Sequence, residues 1–314
     1  MSGQHVKLPC FETVISQMVK NIYRYKGCRY SELEAKLVDD FKAGCFFQQD
    51  DPDYKINEFK NEIYWVSKYL KMIRLIRDGS DGLISINPEG VRFLNTQVLE
   101  ESKLEDLEQL IEIRTYLNTF ELKLDPIVVS YRQLTQADKG KVDRTLSSFY
   151  CSKDPDIQDF VRHKMERFDD KSICRSYLIL DRENSDDENF CILGFFALAL
   201  KILTVDQNKL NRKQKRDMNL LREQEGIPSY FIAQLGKNDM FKYNFKGKYL
   251  LDEAVNIVYD CIGLLGGTIV WLEANKEADS VVKFYKNNKF IELQSEMQED
   301  GVERIQMIKY LNRE

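Results

Sequence analysis

FKYNFKGKYLLDEA, residues 241–254, is a short basic and aromatic stretch that runs straight into an amphipathic pattern. Leu250, Leu251, Ala254, Ile257, Val258, Cys261 and Leu265 recur at helical spacing, and Gly266-Gly267 ends the run. IPSYFIAQL, residues 227–235, reads as a strand just ahead of it. Between a strand and a helix N-terminus, backbone N–H groups can converge on a phosphate. Such loops are normally rich in glycine, which lets the chain approach closely and take φ > 0. This one has only Gly247. It is either a reduced phosphate site or a plain connection, and the choice decides whether the chain is an enzyme.

Outward from the loop, the pattern from about residue 127 alternates strands and helices. PIVVSYRQL reads as a strand, TQADKGKVDRTLSSFY as a helix opened by Thr135, and DPDIQDFVRHKMERF as a second helix. SYLILD and NFCILGFFALALKIL are apolar strands, the latter continuous enough to be buried on both faces. The basic segment NKLNRKQKRDMNLLREQEG follows, either a solvated insertion or helix or a substrate-facing basic surface. TIVWLEA, EADSVVKFYKNN, KFIELQ and ERIQMIKYL complete a strand, a helix and two strands. The class is α/β (α+β), with a mixed sheet flanked by helices.

The first hundred residues differ. CFETVISQMVKNIYRY, SELEAKLVDDF (opened by a Ser31–Glu34 capping box) and INEFKNEIYWVSKYLKMIRLI read as three helices. IRDGSDGLISINPEGVRFL then gives a turn, a short strand, a second turn and a return to helix. Three helices and a small wing resemble a winged helix-turn-helix, with Ile56–Ile76 as the recognition helix. Lys60, Lys68, Lys71, Arg74 and Arg77 offer positive charge there, but Glu58 and Glu62 dilute it, so nucleic acid and protein both remain open as partners. Residues 97–122 form a charged amphipathic connector, suited to packing on a domain or on a second copy in a homodimer. Asp125-Pro126 marks the next boundary. The expected division is 1–96, 97–126 and 127–314.

Composition narrows the chemistry. The 314 residues are 43% hydrophobic and 31% charged with a net charge of −5, which suits a folded protein and gives no general attraction to polyanions. The longest apolar run, Phe190–Leu200, is too short to span a bilayer, and Met1–Cys10 lacks a signal-peptide layout; no membrane partner and a cytoplasmic location are expected. Seven scattered cysteines form no C-x-x-C pair, which argues against a zinc knuckle or redox dithiol. His5 and His163 are the only histidines, so His-dependent hydrolysis and most transition-metal sites are disfavoured, and no metal is expected.

The order SSFYCSKDPDIQDFV, SYLIL, ILGFFALAL, IPSYFIAQL and VKFYKNNKFIEL resembles the GNAT superfamily of acetyl-CoA-dependent N-acetyltransferases over roughly residues 127–312. The branch it is most similar to includes acetyltransferase toxins of toxin–antitoxin modules and related phage proteins. The last word resembles the family's FY-x-x-x-GF, with Lys289 where glycine is usual. In the family's Q/R-x-x-G-x-G/A pyrophosphate loop, Lys242 takes the first position, Phe245 replaces the first glycine and Gly247 keeps the last small position.

The resemblance implies a GNAT-like sheet and acetyl-CoA as co-substrate. Its pyrophosphate would lie at Lys242, Lys246, Gly247 and Lys248, and its pantetheine would pair with the backbone of Leu235, Gly236 and Lys237. A primary amine, on an aminoacyl-tRNA or a protein, would attack the thioester directly. Tyr285 would be the general acid toward the leaving thiolate, and Glu273 is a candidate base. The alternative is a DNA- or RNA-binding regulator whose GNAT-like half is degenerate and non-catalytic, a reading that Phe245 and Lys289 motivate.

Overall fold

The computed structural model describes residues 9–43, 53–95, 107–151, 154–187, 189–221, 224, 226–298 and 300–311. His5, Cys45, most of the 42–55 loop, the start of the connector and Arg222 lie outside them. Among the described residues no helix is long and apolar enough to cross a membrane.

Helices α1 (Phe11–Arg24), α2 (Tyr30–Ala43) and α3 (Asp53–Met72) precede the hairpin β1 (Ile76–Asp78) and β2 (Ile84–Ile86), then α4 (Pro88–Asn95). Three helices and a wing follow in the expected order, but α3 ends at Met72, and Ile76, the expected end of the recognition helix, opens β1 and pairs with Ile86. The start of α2 differs: Ser31 lies inside the helix, and the Glu32 carboxylate reaches back to accept from Arg29 N–H at 3.1 Å. Helix α5 (Leu107–Leu117) buries Ile113 and Leu117 and packs on α1.

The second half comprises β3 (Pro126–Ser130), α6 (Tyr131–Leu146), α7 (Pro155–Asp159), a π-helical turn at Phe160–Lys164 that carries exposed His163, and α8 (Met165–Asp170). Then come β4 (Arg175–Asp181), β5 (Cys191–Thr204), α9 (Arg212–Asp217), β6 (Gly226–Lys237), α10 (Gly247–Leu265), β7 (Ile269–Asn275), α11 (Asp279–Asn287), β8 (Ile291–Met297) and β9 (Glu303–Tyr310). Helix α6 starts at Tyr131 rather than Thr135. Ser130 Oγ accepts from Gln133 N–H and the Gln133 side chain accepts from Ser130 N–H, a reciprocal cap that shortens β3.

β3 to β9 form one seven-stranded sheet in the order β3-β4-β5-β6-β7-β9-β8, antiparallel except for β6 with β7. The mixed sheet flanked by helices matches the expected class. One face carries α6 to α8, where Leu134, Val142, Phe160 and Met165 meet Leu178, Phe195 and Ala197. Met218, just past α9, continues that layer over Leu203, Ile227 and Trp271. The other face carries α10 and α11. Its core of Leu250, Leu251, Val258, Val270 and Leu272 runs without a break into the N-terminal helices through Met240, Phe241, Tyr69 and Phe11. The two halves therefore share a core.

Candidate active site

Parallel strands β6 and β7 pair at only two positions, Tyr230 with Val270 and Phe231 with Trp271. Beyond them the strands part, and the cause lies on the other edge of β6. Ala197 faces Gln234 while Leu198 faces Ile232, so Ala233 is an extra residue, a β-bulge. A bulge bends its strand and adds twist, and this one falls just past the last pair with β7. Ile232–Lys237 and Leu272–Asn275 therefore have no pairs with each other, a splay, or wedge, at the carboxyl ends of both strands, where ligands of α/β sheets commonly sit. A bulge is a mismatch between two strands, so neither IPSYFIAQL nor its partner strand shows it in sequence.

The predicted pantetheine strand forms one wall. Leu235 and Gly236 pair with Phe196 and Phe195 of β5. A Cβ at Gly236 would come within 2.6 Å of Ile157 Cγ2 and 2.8 Å of Phe195 Cε1, so packing against α7 and β5 demands this glycine. Lys237 Nζ donates to the carbonyl oxygens of Lys242 at 2.9 Å and Phe245 at 3.1 Å and braces the loop that follows.

That loop enters α10 at Gly247, with Lys246 as an extended N-cap that offers no side-chain hydrogen bond. The opening N–H groups of α10 thus have no acceptor from the N-cap side chain, and the positive end of a 19-residue helix stands behind them. Gly247 has no packing reason to be glycine: a Cβ there would meet Phe284 Cζ at an ordinary 3.8 Å. Phe245, at the resembled first-glycine position, is 5% exposed and turns into the core, meeting Tyr249 edge-on at 5.7 Å.

The three lysines differ. Lys242 Nζ lies 2.8 Å from Glu12 Oε1 on α1, so its charge is committed to an ion pair with the N-terminal half. Glu12 also accepts from Tyr243 OH at 2.6 Å and Arg114 Nε at 2.9 Å. Burial alone would raise this carboxyl, but the Lys242 charge and the three hydrogen bonds outweigh it and hold it at about 2. Lys248 pairs with Asp252. Lys246 is exposed and has no acidic partner among the described residues.

Tyr285 on α11 is 8% exposed, packed between Phe284 and Phe290, and burial pushes its phenol up to about 12. Its hydroxyl has no hydrogen-bond partner among the described residues. Phe290 N–H donates to the Tyr285 carbonyl and Lys289 N–H to that of Lys286, a Schellman motif that ends α11. Lys289 stands in its left-handed position at φ 69°, so the resembled glycine position is one whose backbone favours glycine. Glu273 of β7 is half-buried, opposite Gln306 of β9. It shares the face of Trp271, whereas Tyr285 packs with the residues of the other face. The two candidate catalytic residues therefore lie on opposite faces of the sheet.

Across β6 from the wedge, a cavity of about 530 Å³ is lined by Phe160, Phe168, Ala199, Phe231, Ala233 and Gln234, with Lys164 and Lys201 also on its wall. On α3, Lys60, Lys68 and Lys71 pair with Glu34, Asp186 and Asp78, and Glu58 pairs with Arg162 of the second half. Part of the predicted recognition helix is thus an internal contact. On α9, by contrast, Arg212 and Lys213 are exposed with no acidic partner among the described residues. No group of three or more His, Cys, Asp or Glu among the described residues could hold a metal ion.

No protein-family model matches this chain, and no curated protein matches it in sequence. Several solved structures match in arrangement. A point mutant of KacT is 16% identical, covering 60% of this chain and 95% of its own, with a TM-score of 0.45. AtaT complexed with acetyl-methionyl-tRNAfMet is 20% identical, covering 58% and 94%, with a TM-score of 0.42. AtaTR bound with AcCoA is 18% identical, covering 58% and 93%, with a TM-score of 0.39.

Proposed function

We propose that this chain is an acetyl-CoA-dependent N-acetyltransferase acting on a primary amine. The observation that carries the reading is the wedge opened by the Ala233 bulge, with the uncapped N-terminus of α10 following β6. The residues fit the co-substrate. Gly247 and Lys248 offer backbone N–H groups to a pyrophosphate, Lys246 adds an unpaired cation, and the edge of β6 near Leu235–Lys237 can pair with the pantetheine amides. Acetyl-CoA supplies the acyl group and a thiolate leaving group. The bulge and wedge hold the reacting carbonyl, and alignment of the amine against it supplies much of the acceleration.

Tyr285 remains a phenol at neutral pH. With a proton held as tightly as burial makes it, hydrogen-bond donation to the developing thiolate is favoured over complete transfer. Glu273, on the other face, is suited to taking the amine proton through water from the side of the Ala233 cavity. That cavity is the natural acceptor side, and the exposed α9 cations suit an acceptor carried on RNA.

Calorimetric titration with acetyl-CoA of the unmodified chain and of Gly247→Trp tests the site. Micromolar binding lost in the variant is the expected result. A second reading, a nucleic-acid-binding regulator with an inactive second half, is favoured by the commitment of Lys242 to Glu12 and the burial of Phe245. Absence of acetyl-CoA binding by the unmodified chain would select it.

A further inference from the structure

We infer that Glu12 is a positioning residue for the co-substrate site: from α1, it fixes the shape of the 241–246 loop that presents the α10 N-terminus. The inference rests on the acetyl-CoA reading of that loop.

The geometry supports it from several sides. Glu12 is 1% exposed in the first turn of α1, and its Oε1 gathers donors from two consecutive loop residues, Lys242 at 2.8 Å and Tyr243 at 2.6 Å. Arg114 of α5 donates to the same oxygen at 2.9 Å and ties the carboxylate to a second N-terminal helix. A buried carboxylate with charge-assisted bonds is held far more rigidly than an exposed pair. The next loop residue, Asn244, accepts from Tyr69 OH at 3.1 Å and donates to the Phe120 carbonyl at 2.8 Å. From within the second half, Lys237 holds the carbonyls of Lys242 and Phe245. Side chains therefore fix a loop that has few glycines and makes no side-chain cap to its helix. The N-terminal half supplies the supporting layer of the site, and a binding geometry is only as accurate as the residues that lock it.

The test is Glu12→Gln in the full chain, read in two ways. The first compares the affinity of acetyl-CoA with that of S-acetyl-pantetheine, which lacks the pyrophosphate. The expected result is acetyl-CoA binding weakened about tenfold with S-acetyl-pantetheine unchanged; general loosening of the fold would weaken both. Equal acetyl-CoA affinity in variant and unmodified chain overturns the inference. So does tighter binding, which would mean that Glu12 withholds Lys242 from the ligand. The second readout is hydrogen exchange at amides 241–249 without ligand, expected to speed up in the variant while the β4–β5 amides stay protected. Exchange unchanged in the loop also overturns the inference. If the unmodified chain binds no acetyl-CoA, the functional reading fails, and exchange alone still decides whether Glu12 holds the loop. Should Glu12→Gln not fold, Tyr243→Phe removes one donor to the same oxygen and is expected to shift both readouts the same way by a smaller factor.

Discussion

The hydroxyl of Tyr69 on α3 donates to Oδ1 of Asn244, in the loop ahead of α10, at 3.1 Å. One side of Asn244 thus meets α3 and the other meets the Phe120 carbonyl past α5, so this amide joins three segments far apart in the chain. Asn244→Ala leaves Tyr69 OH and the Phe120 carbonyl without it and is expected to destabilise the chain by about 1–3 kcal/mol. Urea unfolding would show the loss as a lower midpoint at constant slope.

Gly247→Ala separates stability from binding. The added Cβ fits at 3.8 Å from Phe284, and alanine is the better helix former, so the melting temperature should hold or rise slightly, by less than the roughly 0.5–1 kcal/mol of a helix interior because Gly247 is the first helical residue. If glycine serves close approach of a pyrophosphate, acetyl-CoA affinity should fall in the same protein. Unchanged affinity would mean that Gly247 serves no ligand.

Tyr285→Phe removes a hydroxyl that has no hydrogen-bond partner among the described residues. Stability should change by less than about 0.5 kcal/mol, while acetyl transfer should slow by about 10²–10⁴-fold if the phenol serves the leaving thiolate. Undiminished transfer would remove Tyr285 from the mechanism.

Two buried glutamates should pull stability in opposite directions as pH changes. Glu12 is held at about 2, below its ordinary value near 4.5, so its contribution is fully present above 4.5 and is lost as pH falls toward 2. Glu62 has both carboxylate oxygens without a hydrogen-bond partner. Burial pushes it up to about 8; the Arg162 charge opposes this, and Glu58 and Asp239 reinforce it. A raised carboxyl favours the fold at low pH, and that contribution is lost as pH climbs from about 4.5 to 8. Glu62→Gln should therefore stabilise at pH 8, on the order of 3 kcal/mol, with the gain vanishing near pH 4.5. Glu12→Gln should destabilise at neutral pH by a similar order, with the loss fading in acid. Urea titrations at pH 3, 5 and 8 check both signs.

Lys289→Gly relieves a left-handed residue in the turn that ends α11 and is expected to raise stability by about 1 kcal/mol. A fall in melting temperature would show that the lysine contributes contacts worth more than the strain.

Most of the strand and helix order was legible because long elements carry their own period, as in α10, where Leu250, Leu251, Ala254 and Val258 repeat on one face; the three-residue β1 is too short to show one and reads as the end of α3. The start of α6 was misplaced because Ser130, a good cap, sits within a run that reads as strand. Tyr285, Gly247 and the strand ending at Lys237 enter the proposal through local words that resemble a family. The Ala233 bulge could not, since it exists only in the pairing of two strands. Nor could the role of Glu12, since nothing in FETVISQMVK shows which distant loop its carboxylate meets. The same distance hides the partner of Lys242, which the resemblance places at the pyrophosphate and the fold pairs with Glu12.

The bond from Tyr243 to Glu12 joins residues 231 positions apart. On a ribosome adding about 5–20 residues per second, the carboxylate waits on the order of 10 to 50 s for its loop partners to be made. Arg114 is made after 102 of those positions; until Lys242 and Tyr243 follow, α1 carries an acid short of its two loop partners beside the apolar surface of Phe11 and Tyr69 that the later half will cover. A stop codon between Tyr69 and Met240 would leave that surface without the cover that Met240 and Phe241 supply.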